Sequence, residues 1–329
     1  MRAVRVHELV GPEALRVDEV PEPTCGRGEV LVDVKAAGVN FPDVLLTRGK
    51  YQFKPTPPFV PGGEAAGVVR AVGEGVTTLS PGDRVACTMV HGAFAERVVV
   101  PELAAVKLPE AVSFEVGAAT LLTYATTLHA LEDRARLGAR ADRRETLLVL
   151  GAAGGVGLAA VQLGKRMGAR VLAAASTEAK VAACLEAGAE AGIVYGREDL
   201  KERVKALTGG EGADVVYDPV GGPLSEAALR ATAWEGRYLV VGFAAGEIPK
   251  IPLNLVLLKG CSVVGVFWGA FAAREPAKNR EHAARLLAWV AEGTLAPRID
   301  AVLPFAEATA ALARLEGRQV RGKVVLVPG

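Results

Sequence analysis

The chain is poor in cysteine and in aromatic residues, and charge of neither sign prevails. Its 329 residues include only Cys25, Cys87, Cys184 and Cys261, no two of them close together. That spacing suits neither a disulfide framework nor a structural zinc knuckle. Reduced, mostly buried thiols are expected. Lys and Arg number 38 against 37 Asp and Glu, a net charge of +1. Without a basic stripe there is no electrostatic footprint for nucleic acid, and no block of like charges suggests a solvated tail. No apolar segment is long enough to span a bilayer. The opening stretch, MRAVRVHELVGPEALRV, carries dispersed charges and no apolar core of a signal peptide, so a soluble cytoplasmic protein is expected.

Glycine and small apolar residues are plentiful instead, and their pattern changes along the chain. The first hundred residues read as short strands with turn signals between them. In EVLVDVKAAGV, Val30, Val32 and Val34 alternate with other groups, and Gly73–Gly75 and Pro81-Gly82-Asp83 mark corners. A small barrel-like β unit is expected there. After Pro109 the spacing turns helical, with Ser113 placed to cap SFEVGAATLLTYATTLHALEDRA. From Thr146 onward, apolar strands (TLLVLG, RVLAAA, AGIVY, ADVVYDPV, GRYLVVGF) alternate with amphipathic helices, which predicts a parallel sheet covered on both faces. The tail adds two helices, NREHAARLLAWVAEGTL and PFAEATAALARLEGR, and a closing strand, GKVVLVPG.

One stretch carries the chemistry. LVLGAAGGVGLAA leaves a predicted strand, breaks on glycines and opens a predicted helix. Against the dinucleotide pattern G-x-G-x-x-G it places Ala152 first, then Ala153, Gly154, Gly155, Val156 and Gly157. A residue without a side chain at Gly154 lets a pyrophosphate approach the backbone. Gly157 lets the helix lie against its strand, and the helix start offers N–H groups to phosphate. The end of the next strand selects the dinucleotide. An NAD enzyme places an acid there for the ribose 2′-hydroxyl, but this chain has Ala175. Ser176 and Lys180 follow, suited to a 2′-phosphate, while Glu178 falls in the first turn of a helix, where an acid is favoured. NADPH is therefore expected rather than NADH.

The chain resembles the zinc-independent quinone oxidoreductases, related to zeta-crystallin, of the medium-chain dehydrogenase/reductase superfamily. The likeness runs through AAGVNFPDVLLTRGKY, PFVPGGEAAGVV, TYATTLHAL, GAAGGVGLAAVQLGKRMGA, DVVYDPVGG, VGFAAGEIPKIPLNLVLLKG and RGKVVLVPG, in that order. The resemblance implies a GroES-like β-rich catalytic domain, residues 1–125 and 267–329, around an inserted Rossmann doubly wound parallel-sheet domain, residues 126–266. It implies an active site in the cleft between them and homodimers pairing through the cofactor domain. Asn40 and Thr126 match residues lining the nicotinamide end, with a catalytic part in orienting the carboxamide or polarising the acceptor. Ser176, Lys180 and Tyr195 match the 2′-phosphate pocket, and Arg318 matches a tail arginine reaching that phosphate. Gly242, Phe243 and Ala244, with Val266, Phe267 and Trp268, match loops flanking the nicotinamide. Leu45 departs from the pattern, since close relatives often have a tyrosine shortly after the Asn40 position.

Zinc-dependent members of the superfamily need a Cys where this chain has Asn40 and a His where it has Gly63, before Glu64. Without those ligands no zinc site is expected. Zinc holds the alkoxide charge in reactions of simple alcohols. A quinone or an α,β-unsaturated carbonyl spreads that charge over its own conjugated system. The leading expectation is direct hydride transfer from NADPH to a quinone. One rival keeps the cofactor and reduces an enal, enone or enoyl thioester, for which Arg48, Lys50 and Lys54 offer positive charge to CoA phosphates. Another is a non-enzymatic structural or RNA-binding role. His7, His129 and His91 are read as structural or solvated, and His282 as lying on an exposed helical face.

Overall fold

The computed structural model describes residues 1–139 and 143–329. They divide into two compact units, Met1–Ala125 with Phe271–Gly329, and Thr126–Ala270.

The first unit is built on a seven-stranded sheet. Its strands run in the order Ile299–Pro304, Lys323–Val327, Glu29–Val39, Glu64–Val72, Arg84–Thr88 and Ala105–Lys107, with Arg97–Pro101 also pairing to Glu29–Val39. Val30, Val32 and Val34 are all buried, and a core of valines and leucines forms around them with Phe59, Phe94 and Phe305. The chain's last strand pairs antiparallel with the third, Val324 opposite Val39. This pairing brings Lys323 to the loop after Val39.

The second unit holds six parallel strands in the order Ala191–Val194, Arg170–Ala175, Thr146–Leu150, Ala213–Asp218, Thr232–Val240 and Ser262–Gly265. Numbered within the unit this is 3-2-1-4-5-6, the doubly wound order whose switch point lies between the first and fourth strands. Thr146–Leu150 is buried at every position, as an interior strand covered on both faces must be.

Three expectations are revised. The predicted helix after Ser113 is broken into Phe114–Ala118, Leu121–Leu128 and a π turn at His129–Arg134, although Ser113 Oγ does accept from Val116 N at 3.2 Å. The fifth strand of the second unit starts at Thr232 rather than Gly236. His282 is buried at 3% exposure, not on an outer face. Asn279, His282, Ala283, Leu286 and Leu287 are the buried positions of the Pro276–Ala291 helix, the i, i+3, i+4, i+7, i+8 stripe of a helix packed on its domain. His282 sits on that stripe, with its ring 5.7 Å from Phe271. Sequence reading also passed over the Leu253–Lys259 helix and the Ser262–Gly265 edge strand.

Candidate functional site

In the second unit the strand Thr146–Leu150 is followed by Gly151, and the helix Gly155–Arg166 begins four residues after that glycine. Gly151 takes a left-handed φ of 56°, and a Cβ there would stand 2.7 Å from Val220 Cγ2, across the switch point. Gly157 is required by packing, because its Cβ would fall 2.4 Å from Gly151 O and 2.7 Å from the Ala152 backbone. Gly154 is different. Its φ of −76° is open to any residue, and its Cβ would meet nothing nearer than Gly151 O at 3.4 Å. Neither conformation nor packing explains the missing side chain. The helix it heads has no side-chain cap and no acid in its first turn, whereas the next two helices are capped by Thr177 and Asp199. A twelve-residue helix with a bare, uncapped start is a positive end fitted to an anion. The turn therefore suits a dinucleotide pyrophosphate, with Ala153, Gly154, Gly155, Val156 and Gly157 as its frame.

Beside this turn, Thr127 Oγ1 lies 2.9 Å from Tyr217 Oη and donates at 3.4 Å to Val156 O. These contacts pin the end of the Leu121–Leu128 helix, so half-buried Thr126 is held near the turn. The opposite wall is organised by Asp218, the last residue of the buried strand Ala213–Asp218. Its Oδ1 accepts from Val220 N and Gly221 N at 2.8 and 2.9 Å, and its Oδ2 from Ser225 Oγ at 2.9 Å and from Tyr238 Oη. Burial and this carboxylate push the Tyr238 phenol up, so it stays the donor. The loop thus fixed binds the next one, Ala244 N donating to Pro219 O at 3.1 Å and Ala245 N to Val220 O at 2.8 Å. Gly242, Phe243 and Ala244 are positioned in this way, and Val266 follows through its N–H to Val240 O at 2.9 Å. Phe267 is exposed and Trp268 half-buried. Sequence reading missed Asp218, although an acid closing the buried strand ADVVYD was its visible signal.

At the end of the second strand, Ser176 is exposed and accepts from Lys180 Nζ at 3.3 Å, and half-buried Tyr195 continues the third strand with its N–H on Ala175 O at 3.2 Å. Arg197, which sequence reading did not single out, lies in the same place.

The first unit holds Asn40 and Arg318. Arg318 is exposed at the end of its helix, with φ 55°. Asn40 is 4% exposed, inside a polar cluster with Asp43, Glu64 and Lys323 at 1, 1 and 4%. Lys323 Nζ donates to Glu64 Oε1 at 2.7 Å, to Val39 O at 3.0 Å and to Asn40 Oδ1. Asn40 Nδ2 donates to Glu64 Oε1 at 2.9 Å and to Gly38 O at 3.2 Å. Glu64 Oε2 accepts from Leu122 N at 2.8 Å. All three ammonium hydrogens and both amide hydrogens are thus committed. What Asn40 retains is oxygen lone-pair capacity, so it can accept a hydrogen bond but has no N–H to give an acceptor carbonyl. Asp43 takes Asn40 N at 2.8 Å and Gly62 N at 3.2 Å, and burial raises its carboxyl to about 7. Half-buried Tyr51 has its phenol raised by burial, with Asp43 adding to the shift. Leu45 is half-buried, and Arg48 is engaged by Glu316 at 2.6 and 2.9 Å and by Val10 O at 2.7 Å.

The family signatures described as "Alcohol dehydrogenase GroES-like domain" and "Zinc-binding dehydrogenase" match residues 26–110 and 155–289. The second description raises zinc, and the residues here do not fit it. Asn40 and Glu64 are spent on Lys323 and on each other, and Gly63 has no donor side chain. Cys87 on the neighbouring strand points its thiol at Ala65 O, 3.6 Å away, and burial pushes that thiol up to about 12. A quinone oxidoreductase-like protein 2 homolog of Nematostella vectensis is 40% identical over 99% of this chain and 88% of its own length. The human quinone oxidoreductase is 32% identical, covering 99% of this chain and 98% of its own length. The structure of Escherichia coli quinone oxidoreductase complexed with NADPH superposes with a TM-score of 0.91 at 31% identity, over the whole of both chains.

Proposed function

The chain belongs to the zeta-crystallin-like quinone oxidoreductases of the medium-chain dehydrogenase/reductase superfamily, and from that membership we propose that it reduces quinones with NADPH, without metal. The oxidoreductase class and the NADPH cofactor stand with the family. The quinone as acceptor, and the roles given to single residues, are our reading.

The observation that carries the reading is the bareness of Gly154 ahead of an uncapped helix, which nothing inside the protein demands. The pyrophosphate would lie there, and Ser176, Lys180, Tyr195 and Arg318 would serve the 2′-phosphate. Bound NADPH supplies a hydride at nicotinamide C4. Gly242, Phe243, Ala244, Val266, Phe267 and Trp268 would flank the ring and exclude water, and Thr126 offers it a hydroxyl. Asn40 would accept a hydrogen bond from a donor such as the nicotinamide carboxamide. Lys323 and Glu64 keep that amide from turning over. This narrows the part expected of Asn40, because polarising an acceptor carbonyl takes a donor and its N–H groups are spent.

Since Asn40, Gly63 and Glu64 do not fit a zinc ion that would hold an alkoxide, an acceptor that spreads the added charge itself, as a quinone does, suits the site. Juxtaposition then does most of the work. The CoA alternative loses one of its cations, since Arg48 is tied to Glu316 and Val10. Turnover of naphthoquinone, an alkenal and crotonyl-CoA side by side with NADPH tests the reading. Naphthoquinone is expected to be preferred, and oxidation of NADPH by crotonyl-CoA alone would overturn it.

We also propose a homodimer joined through the second unit. Ser262–Gly265 ends its sheet, and Leu253, Leu257, Trp234 and Val263 nearby are 79, 78, 64 and 45% exposed. An apolar surface at a sheet edge invites pairing.

A further inference from the structure

We infer that Glu178 and Arg197 together set which pyridine nucleotide this chain accepts, an inference that rests on the NADPH reading above. Beyond the carboxyl end of Arg170–Ala175 lies a cavity of about 270 Å³ lined by Ser176, Thr177, Glu178, Ala179, Val194 and Arg197. In a doubly wound fold this is where the adenosine ribose lies. Glu178 stands three residues beyond Ala175, the strand-end place where NAD enzymes carry the acid that takes the ribose 2′-hydroxyl. The chain thus keeps an NAD-type acid, displaced from the strand end into the first turn of the Glu178–Glu186 helix.

That carboxylate opposes a 2′-phosphate, and Arg197 answers it. The Arg197 guanidinium pairs with Glu178 Oε1 at the cavity. Among the residues lining the cavity Glu178 and Arg197 carry the charges and cancel, so without Arg197 the lining is left with the carboxylate alone. The two paired side chains are 72 and 74% exposed, so water screens the pair and it is readily rearranged. A guanidinium has five N–H donors and can hold a carboxylate and a phosphate at once. With NADPH, Arg197 bridges Glu178 and the 2′-phosphate. With Arg197 gone, Glu178 is released to repel the phosphate and to accept from the 2′-hydroxyl of NADH. Arg197 is then a specificity residue, and Glu178 the group against which it acts.

The test is equilibrium titration of the full chain with NADPH and with NADH, for wild type, R197Q, E178Q and the double variant, at one ionic strength. Both positions are exposed, so folding is expected to be kept and is checked by thermal unfolding. R197Q is expected to raise the NADPH Kd about tenfold while NADH binds as well or better. E178Q is expected to tighten NADPH and weaken NADH, and the double variant to bind NADPH better than R197Q. An NADPH/NADH ratio that stays within about twofold in R197Q, or NADPH weakened by E178Q, overturns the inference. A wild type that binds NADPH but ignores both substitutions sinks this inference alone. A wild type that binds neither nucleotide sinks the cofactor reading with it.

Discussion

Two glycines three residues apart make opposite predictions. Gly157→Ala places a methyl 2.4 Å from Gly151 O and 2.7 Å from Ala152 backbone atoms, none of which can turn aside. Relieving that contact takes a shift of roughly 1 Å between helix and strand. Overpacking of this kind costs about 1–3 kcal/mol. Gly154→Ala meets only Gly151 O at 3.4 Å and fits its backbone at φ −76°. Its effect on stability is expected within about 0.5 kcal/mol, since the lost conformational freedom of the unfolded chain offsets the weaker N-cap. Its methyl would, however, stand where the pyrophosphate approaches. Losing one charge-assisted hydrogen bond there costs about 1.5–3 kcal/mol, a Kd raised about 10- to 150-fold. Denaturant unfolding and NADPH titration on both variants separate the effects. G157A should unfold earlier and bind weakly, whereas G154A should unfold like wild type and bind weakly. A G154A protein that binds NADPH as well as wild type would refute the reasoning.

Further outcomes follow from the buried cluster and the exposed edge. K323M leaves Glu64 buried without its counter-charge and should cost about 3–5 kcal/mol in denaturant unfolding. K323R, which keeps the charge, should recover part of that stability and of kcat. Asp43, raised by burial to about 7 from 3.8, binds its proton more tightly folded than unfolded. Its contribution to stability is therefore full below about pH 4 and lost as pH rises towards 7, a change of order a few kcal/mol. The stability difference between wild type and D43N should shrink over that interval, and a difference that does not change with pH would contradict the assignment. L257D puts a charge on the apolar edge of the second unit. A homodimer should become monomeric in sedimentation velocity, and an unchanged sedimentation coefficient would remove that surface from the interface.

Much of this was legible in the residues because period and punctuation agree. The valine alternation in Glu29–Val39 and the apolar run Thr146–Leu150 announce strands, although the first proves buried on both faces for most of its length, and the glycines at 151–157 announce the turn. The break in the predicted helix after Ser113 was not legible, because no glycine or proline stands between Ala118 and the end of the π turn at Arg134. The Leu253–Lys259 helix was hidden for a related reason. LNLVLLK is apolar on most sides, with three leucines exposed, so it shows no face. Asn40 could be picked out by its motif, but its saturation by Lys323 depends on pairing across 283 residues, which no local pattern carries. Arg197 was overlooked because, read along the chain, it is one more charge in a loop. The fold places it at the cavity with Glu178.

The central claim is hydride delivery to a conjugated acceptor, without metal, beside an Asn40 whose neighbouring Lys323 ammonium is already spent on Glu64, Val39 and Asn40 itself. Stopped-flow oxidation of NADPH by naphthoquinone, on protein stripped with a chelator and checked for metal by elemental analysis, tests it most directly. The account predicts the same rate before and after stripping, with a primary isotope effect from NADPH deuterated at C4. A rate lost on stripping and restored by zinc, or no oxidation by a folded protein that binds NADPH, would contradict it.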